Sequence, residues 1–251
     1  MKKAKKGLLL SLFTLIAAVA ITATSTYAWF VVNRSVEATN MQLTLRSDTT
    51  YLVISSTDPG EGGVASLGTG TSAEATASEA QVLPVMYDTT GSDPTAPATR
   101  WKYASGTNYT TGTANGGYTT VSQTQVSDYT VHYVFYVGLT PTSATAQQNL
   151  KVTGLTVGAS SSVFRPAVSV VLKCGSTVID FEDITSTATQ QSLGGNGSIL
   201  SSTVALDTVY TIEAWVYVNG DNTAVTSANA TEANLGSFTV SMTLGIDTPQ
   251  A

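Results

Sequence analysis

The feature that most constrains the fold is a strict alternation of apolar and polar residues in several separate segments. It is cleanest over residues 238–246, FTVSMTLGI. A period of two sends successive side chains to opposite faces of a β-strand, so this pattern predicts a strand with one buried face. The same pattern recurs over 129–139 and 209–218, and it predicts two further strands of the same kind.

Shorter apolar runs predict additional strands, and they are spread along the whole chain. These runs are 41–45, 51–55, 150–157, 167–173 and 176–181. Gly175 separates the last two and predicts that they pair through a turn. Residues 100–103 and 118–121 are expected to form an outer hairpin. Pro84 lies within the apolar run 81–87, so that run is predicted to be an edge strand or no strand.

The segments between these runs are rich in small and polar residues. Residues 61–79 and 190–202 are predicted to be loops, and 58–126 is predicted to be a loop-rich insertion. No segment after the first 28 residues combines a helical period with helix caps. The sequence therefore predicts an all-β chain, a two-sheet jelly-roll-like sandwich preceded by an N-terminal hydrophobic signal helix.

The amino-terminal segment has the three-part layout of a secretory signal. Four lysines in the first six residues precede an apolar run over 7–21, and small or polar residues follow up to Ala28. This layout predicts a signal peptide over 1–28, cut between Ala28 and Trp29, and a single domain over 29–251. Two alternatives stay open: an uncleaved membrane anchor over 8–32, and a pilin-type cut after Gly7.

Charge limits the classes of partner. Residues 1–28 hold four of the 11 basic residues and none of the 17 acidic ones, so the cleaved chain carries 7 minus 17, a net charge of −10. A strongly acidic protein is repelled by nucleic acid and by anionic lipid. We therefore expect no nucleic-acid partner, and contact with a membrane only through the uncleaved signal.

Residues that commonly carry chemistry are sparse. The chain has one histidine, His132, and one cysteine, Cys174, so it can form no intramolecular disulfide. His132 is expected to be a packing or surface residue of its strand, and Cys174 a structural thiol. The acidic group Asp180, Glu182 and Asp183 lacks the spacing of a calcium loop. These observations predict no catalytic residue, no metal site and no cofactor, and hence a protein that is not an enzyme.

Aromatic residues offer a different kind of site. Four of them lie in the Thr- and Gly-rich insertion: Trp101, Tyr103, Tyr109 and Tyr118. Exposed rings of this kind can stack on sugars, so they are candidates for a glycan-facing surface. Packing against an outer sheet would explain them equally well.

Two parts of the chain resemble TasA/camelysin-like proteins, a family of secreted biofilm-matrix fibre proteins. The first is Thr26-Tyr27-Ala28-Trp29-Phe30 after an apolar signal core, followed by 36–43, VEATNMQL. The second is Ile212-Glu213-Ala214-Trp215 together with 237–245, which resemble the closing strand pair of that family. The resemblance as a whole, with the apolar signal core, covers about a quarter of the chain, and 58–126 resembles no family.

This resemblance implies a jelly-roll domain, a dedicated signal peptidase and secretion into a bacterial extracellular matrix. It also implies fibre growth by donor-strand exchange, with Trp29, Phe30, Val31 and Val32 as the donor strand of a head-to-tail homopolymer. An extended apolar segment can add to an open sheet edge, which supports the same hypothesis on physical grounds.

Other functions stay open at this point. The chain could be a monomeric surface module that binds carbohydrate or protein, as an adhesin does. It could instead be a membrane-anchored or pilin-like subunit. The donor residues could also fold back as the first strand of their own domain.

Overall fold

The computed structural model describes 38–47, 51–80, 82, 84–88, 94–95, 101–104, 118–120, 123–140, 145–159, 163, 165–182, 184, 187–189, 198–225 and 238–247. These residues form fourteen β-strands. The first seven are β1 (Ala38–Ser47), β2 (Leu52–Ser55), β3 (Ser72–Ala80), β4 (Met86–Tyr87), β5 (Trp101–Ala104), β6 (Tyr118–Thr120) and β7 (Thr130–Leu139). The others are β8 (Gln147–Ala159), β9 (Val168–Cys174), β10 (Thr177–Phe181), β11 (Thr187–Thr189), β12 (Ser198–Val204), β13 (Tyr210–Val218) and β14 (Phe238–Asp247).

The strands form two large sheets and one small sheet. Sheet A has the order β11-β8-β14-β1-β3, with β12 also paired to β8, and sheet B has the order β10-β9-β13-β7-β2. The small sheet, which we call the cover sheet, has the order β4-β5-β6. All pairs are antiparallel except β1 with β14, which run parallel. The prediction of an all-β, two-sheet architecture is confirmed.

The main core lies between sheets A and B and follows the alternation in the sequence. Leu43, Leu45 and Met242 point inward from sheet A, and Phe135 and Ile212 point inward from sheet B. Each of these five side chains is at most 1% exposed. Burying a side chain of this size contributes about 1.5–3 kcal/mol, so the alternating strands supply the main driving force for folding.

The outer face of sheet B is also buried. Trp215, Tyr217 and Val171 point away from the main core and pack against Tyr87 and Trp101 of the cover sheet. Farther along the same face, the 3-10 segment Gly60–Leu67 places Val64 and Leu67 on Val53. The cover sheet and the 3-10 segment thus make a third layer on this side.

Gly138 of β7 shows how closely the third layer approaches. A methyl group in place of its hydrogen would lie 3.0 Å from Leu67 Cδ1 and 3.0 Å from Val64 Cγ2. Those distances are shorter than ordinary van der Waals contact between carbon atoms. Glycine at this position therefore allows the 3-10 segment to rest on the sheet.

Two predictions about local structure are wrong. Residues 61–79 were expected to be a loop, but they contain the 3-10 segment and most of β3. The inward residues of β3 are alanines, which pack against the core but give a weak hydrophobic pattern. Residues 190–202 were also expected to be a loop, yet β12 begins at Ser198. A register shift between Ile199 and Ser201 breaks its alternation.

Several other predictions are confirmed. Residues 101–104 and 118–120 pair as a hairpin, and β9 and β10 pair through a turn at Gly175, whose φ is +59°. The run containing Pro84 yields only the two-residue strand β4. The strands predicted over 209–218 and 238–246 are both present, as β13 and β14, and they belong to different sheets.

Candidate functional site

The predicted cleavage point at Ala28 and Trp29, and the donor residues Trp29, Phe30, Val31 and Val32, lie outside the described residues. The structure does describe where that segment joins the domain, which is the start of β1 at Ala38. From Gln42 to Arg46, β1 has β14 on one side and β3 on the other. Because both neighbours of β1 are strands of the same domain, sheet A is continuous there without residues 29–37.

Strand β3 is the edge of sheet A on this side. It pairs with β1 over Ser72–Ala80, and no other strand of the described chain pairs with it. Ala73, Ala75 and Ala77 are half-buried against the core, while Ser72, Glu74 and Thr76 are exposed. An edge of this length presents a row of backbone N–H and C=O groups to which another strand can add.

Two backbone hydrogen bonds show which groups of β3 face away from β1. The Ser47 N–H donates to the Thr71 carbonyl at 2.8 Å, on the β1 side, whereas the Ile54 N–H of β2 donates to the Gly70 carbonyl at 2.8 Å. Backbone groups two residues apart point the same way in a strand, and the register of β1 with β3 is unbroken, so the groups of the three alanines at 73, 75 and 77 face β1. Those of residues 72, 74 and 76 therefore face the open side.

The exposed side of β3 is acidic. Gln42 Nε2 donates to Glu74 Oε2 at 3.1 Å, and this pair is exposed. Among the described residues, Glu74 forms no ion pair. Strand β3 contains Glu74 and Glu79 and no basic residue. The edge thus offers a carboxylate that can still pair with an incoming cation.

The prediction that Trp101 faces a glycan is wrong, because Trp101 is 0% exposed. Its ring centroid lies 4.8 Å from that of Tyr87 and 5.2 Å from that of Tyr217, in an edge-to-face contact with the latter. Its Nε1–H donates to the Pro94 carbonyl at 3.3 Å. Trp101 therefore fastens the cover sheet to sheet B and presents no face to a sugar.

The other three aromatic candidates are placed only in part. Tyr103 lies on β5 opposite Thr119, and Tyr118 lies on β6 opposite Ala104. The side chains of Tyr103 and Tyr118, and the whole of Tyr109, lie outside the described residues. The prediction of a glycan-facing surface at these three residues stays a prediction.

His132 belongs to a polar group on the outer face of sheet B. Its Nε2 lies 3.2 Å from Glu213 Oε2, and Glu213 Oε1 lies 3.5 Å from Lys173 Nζ. The His132 ring stacks on Trp215 with a centroid distance of 4.4 Å. Burial lowers the pKa of His132, Glu213 partly opposes this effect, and Lys173 adds to it. The group links β7, β13 and β9 at the rim of the third layer, as the expected packing role implies.

Cys174 lies at the end of β9, beside a cavity of about 460 Å³ that is lined by residues of the β9–β10 turn, of β12 and of the start of β13 with the chain leading into it. Burial raises the pKa of the Cys174 thiol to about 11. A thiol with that pKa is protonated at neutral pH and is a poor nucleophile. Cys174 thus behaves as the structural thiol that the sequence predicts.

Two acidic residues, Asp180 and Asp247, make structural contacts. Asp180 accepts a hydrogen bond from the Tyr217 hydroxyl at 3.1 Å, and Asp247 accepts one from Lys151 at 2.6 Å and another from Asn149 at 2.9 Å. Within the described part of the chain, no three His, Cys, Asp or Glu side chains converge to hold a metal ion.

Comparisons with known proteins give no relative: no family model, no curated protein and no solved structure matches the chain. Among the described residues, no helix has the length and apolar character needed to cross a bilayer.

The open edge of β3 is the feature that the sequence patterns missed, because 61–79 was expected to be a loop. A signal was present, since Ala73, Ala75 and Ala77 alternate with polar residues.

Proposed function

We propose that this protein is a secreted, non-enzymatic structural protein that polymerises into fibres by amino-terminal donor-strand addition. A signal peptidase cuts between Ala28 and Trp29, and the released segment 29–32 pairs with the sheet of the next copy. The observation that carries the proposal is the position of β1, which lies between β14 and β3. Sheet A needs no strand from the amino-terminal segment at that place, so the segment is available for another copy.

The chemistry of the segment suits strand addition. Residues 29–32 are WFVV, two aromatic and two β-branched residues, which are the types that favour strands. Backbone hydrogen bonds to an edge give affinity, and alternate side chains give specificity. The segment of one copy and the edge of the next are different surfaces, so the contact is head-to-tail and generates filaments when it does not close.

The setting follows from the rest of the chain. The signal layout over 1–28 supports export, and the resemblance to TasA/camelysin-like proteins supports the surface or matrix of a bacterium as the destination. A jelly-roll connectivity belongs to the same proposal, because the chain passes repeatedly between sheets A and B. The parallel pair of β1 with β14 would be a departure from the antiparallel ladders of that fold.

The decisive experiment compares two purified chains, 29–251 and 37–251, by negative-stain electron microscopy and size-exclusion chromatography. We expect fibres from the first chain and folded monomers from the second, with the same circular dichroism spectrum. The proposal fails if 29–251 stays monomeric over a range of pH and concentration. It also fails if 37–251 forms the same fibres.

A second measurement tests the trigger. The amino-terminal sequence of the protein recovered from producing cells should begin at Trp29. A sequence that begins at Leu8 would instead support the pilin-like subunit, and one that begins at Met1 would support the membrane-anchored subunit.

A further inference from the structure

We propose that the acceptor for the donor segment is the open edge of β3, and that Arg34 of the incoming copy pairs with Glu74. This inference rests on the proposed function, and it adds the place and the register of the contact. It depends on the length of the edge, the direction of its backbone groups and the charges on the two partners.

Strand β3 is the most open of the edges in the described chain. It has nine residues, whereas the sheet B edges β2 and β10 have four and five. On the other side of sheet A, β11 has three residues, and β12 has a register shift near Ile199. Short strands and bulges are ways in which proteins discourage pairing at an edge. Strand β3 has neither feature, and it has no proline or lysine.

The backbone of β3 is oriented for pairing. The N–H and C=O groups of Ser72, Glu74 and Thr76 face the open side, because those of the alanines at 73, 75 and 77 face β1. The side chains of these alanines are small and half-buried. An added strand with larger side chains would cover the core beside them, because cross-strand neighbours on one face lie about 4.5–5.5 Å apart.

The donor segment matches this edge in length. Residues 29–36 are eight residues, WFVVNRSV, which extend to about 27 Å at about 3.4 Å per residue. The nine residues of β3 extend to a similar length. The segment can therefore pair along nearly the whole edge.

The charges of the two partners are complementary. Arg34 is the only residue of 29–36 with a charged side chain. Glu74 is exposed and forms no ion pair among the described residues. A pair of exposed charges adds little affinity, but it can fix the register of two strands. Arg34 opposite Glu74 places Asn33 beside one inward alanine and leaves Trp29 and Val31 on the core-facing side.

The test is a charge exchange in the chain 29–251. We expect Glu74→Arg and Arg34→Glu each to form fewer fibres than the parent chain under the same conditions, because like charges then face each other. The double variant should recover the parent's yield. Glu61→Arg is the matched control, since Glu61 is exposed on the 3-10 segment over sheet B. It makes the same change in net charge and should form fibres as the parent does.

A covalent measurement keeps the inference falsifiable if a charge variant folds poorly. In a chain carrying Arg34→Cys, Glu74→Cys and Cys174→Ala, oxidation of assembled fibres should give a ladder of cross-linked multimers on a non-reducing gel. Opposed strand residues are close enough for a disulfide. Either single-cysteine chain, also carrying Cys174→Ala, should give at most dimers.

The outcomes separate this inference from the proposed function. Normal fibres from Glu74→Arg, without a cross-linked ladder, overturn the β3 acceptor and leave donor-strand growth standing. Fibres from the chain 37–251 overturn the proposed function itself. Rescue in the double variant, together with the ladder, supports both.

Discussion

The two outer faces of this sandwich differ sharply, although the same alternation produces both. On sheet A the outward positions are polar: Gln42, Thr44 and Arg46 on β1, and Thr239, Ser241 and Thr243 on β14. On sheet B the outward positions of β13 include Trp215 and Tyr217, which are 4% and 0% exposed. A polar outer face can meet water, whereas a face that carries large aromatic side chains requires another layer.

This difference gives the insertion over 58–126 a structural role. Its cover sheet and its 3-10 segment pack on the apolar outer face of sheet B. Its aromatic residue Trp101 is thereby buried, although a position in a Thr- and Gly-rich region first indicated a binding surface. The comparison predicts that equal substitutions on the two faces have very different effects.

The largest expected effect is that of Trp101→Ala. This change removes a fully buried ring between Tyr87 and Tyr217, and it should lower the free energy of unfolding by about 3–5 kcal/mol. The matched change on the open face, Thr239→Ala, should stay within about 0.5 kcal/mol of the parent. Urea denaturation followed by fluorescence measures both. Equal effects would show that the cover sheet is not a stabilising layer.

A smaller effect is expected from a pair of glycine substitutions. Gly138→Ala places a methyl group against Val64 and Leu67 under the third layer and should cost about 1–3 kcal/mol. The added methyl group of Gly158→Ala would make a shorter contact, since it would lie 2.5 Å from Thr239 Oγ1. Thr239 is exposed and its hydroxyl can rotate away, so this cost should be smaller. A larger loss at Gly158, measured by thermal unfolding, would contradict the comparison.

The smallest effect concerns pH. Burial lowers the pKa of His132 in the folded state below its ordinary value of 6.5. The unfolded chain then binds a proton at His132 more readily than the folded chain does. The stability that the neutral ring contributes is fully present above pH 6.5 and is lost as the pH falls toward the folded-state pKa. The urea concentration at the midpoint of unfolding should decrease as the pH is lowered from about 7.5 to about 5.5. His132→Gln should make that decrease smaller. His132 is the only histidine, which makes the difference between the two chains easy to interpret.

Much of the fold could be predicted from sequence, because β7, β13 and β14 each show a clear period of two, although the outer face of β13 is buried as well. Strand β3 was missed since its inward residues are alanines, and β12 was missed since a register shift interrupts its pattern. The pairing of β1 with β14 depends on distant contacts that no local pattern encodes. The burial of Trp101 was unpredictable for the same reason, because its partner Tyr217 lies on β13.

The parallel pair of β1 and β14 also has a consequence for the kinetics of folding. β1 is the first described strand and β14 the last, and they lie side by side in the middle of sheet A. Contacts between residues so far apart in sequence raise the contact order, and folding slows as contact order rises. A chain made from its amino terminus cannot complete sheet A until β14 has emerged. Sheet A, and with it the main core between the two sheets, thus stays incomplete until nearly all of the chain is available.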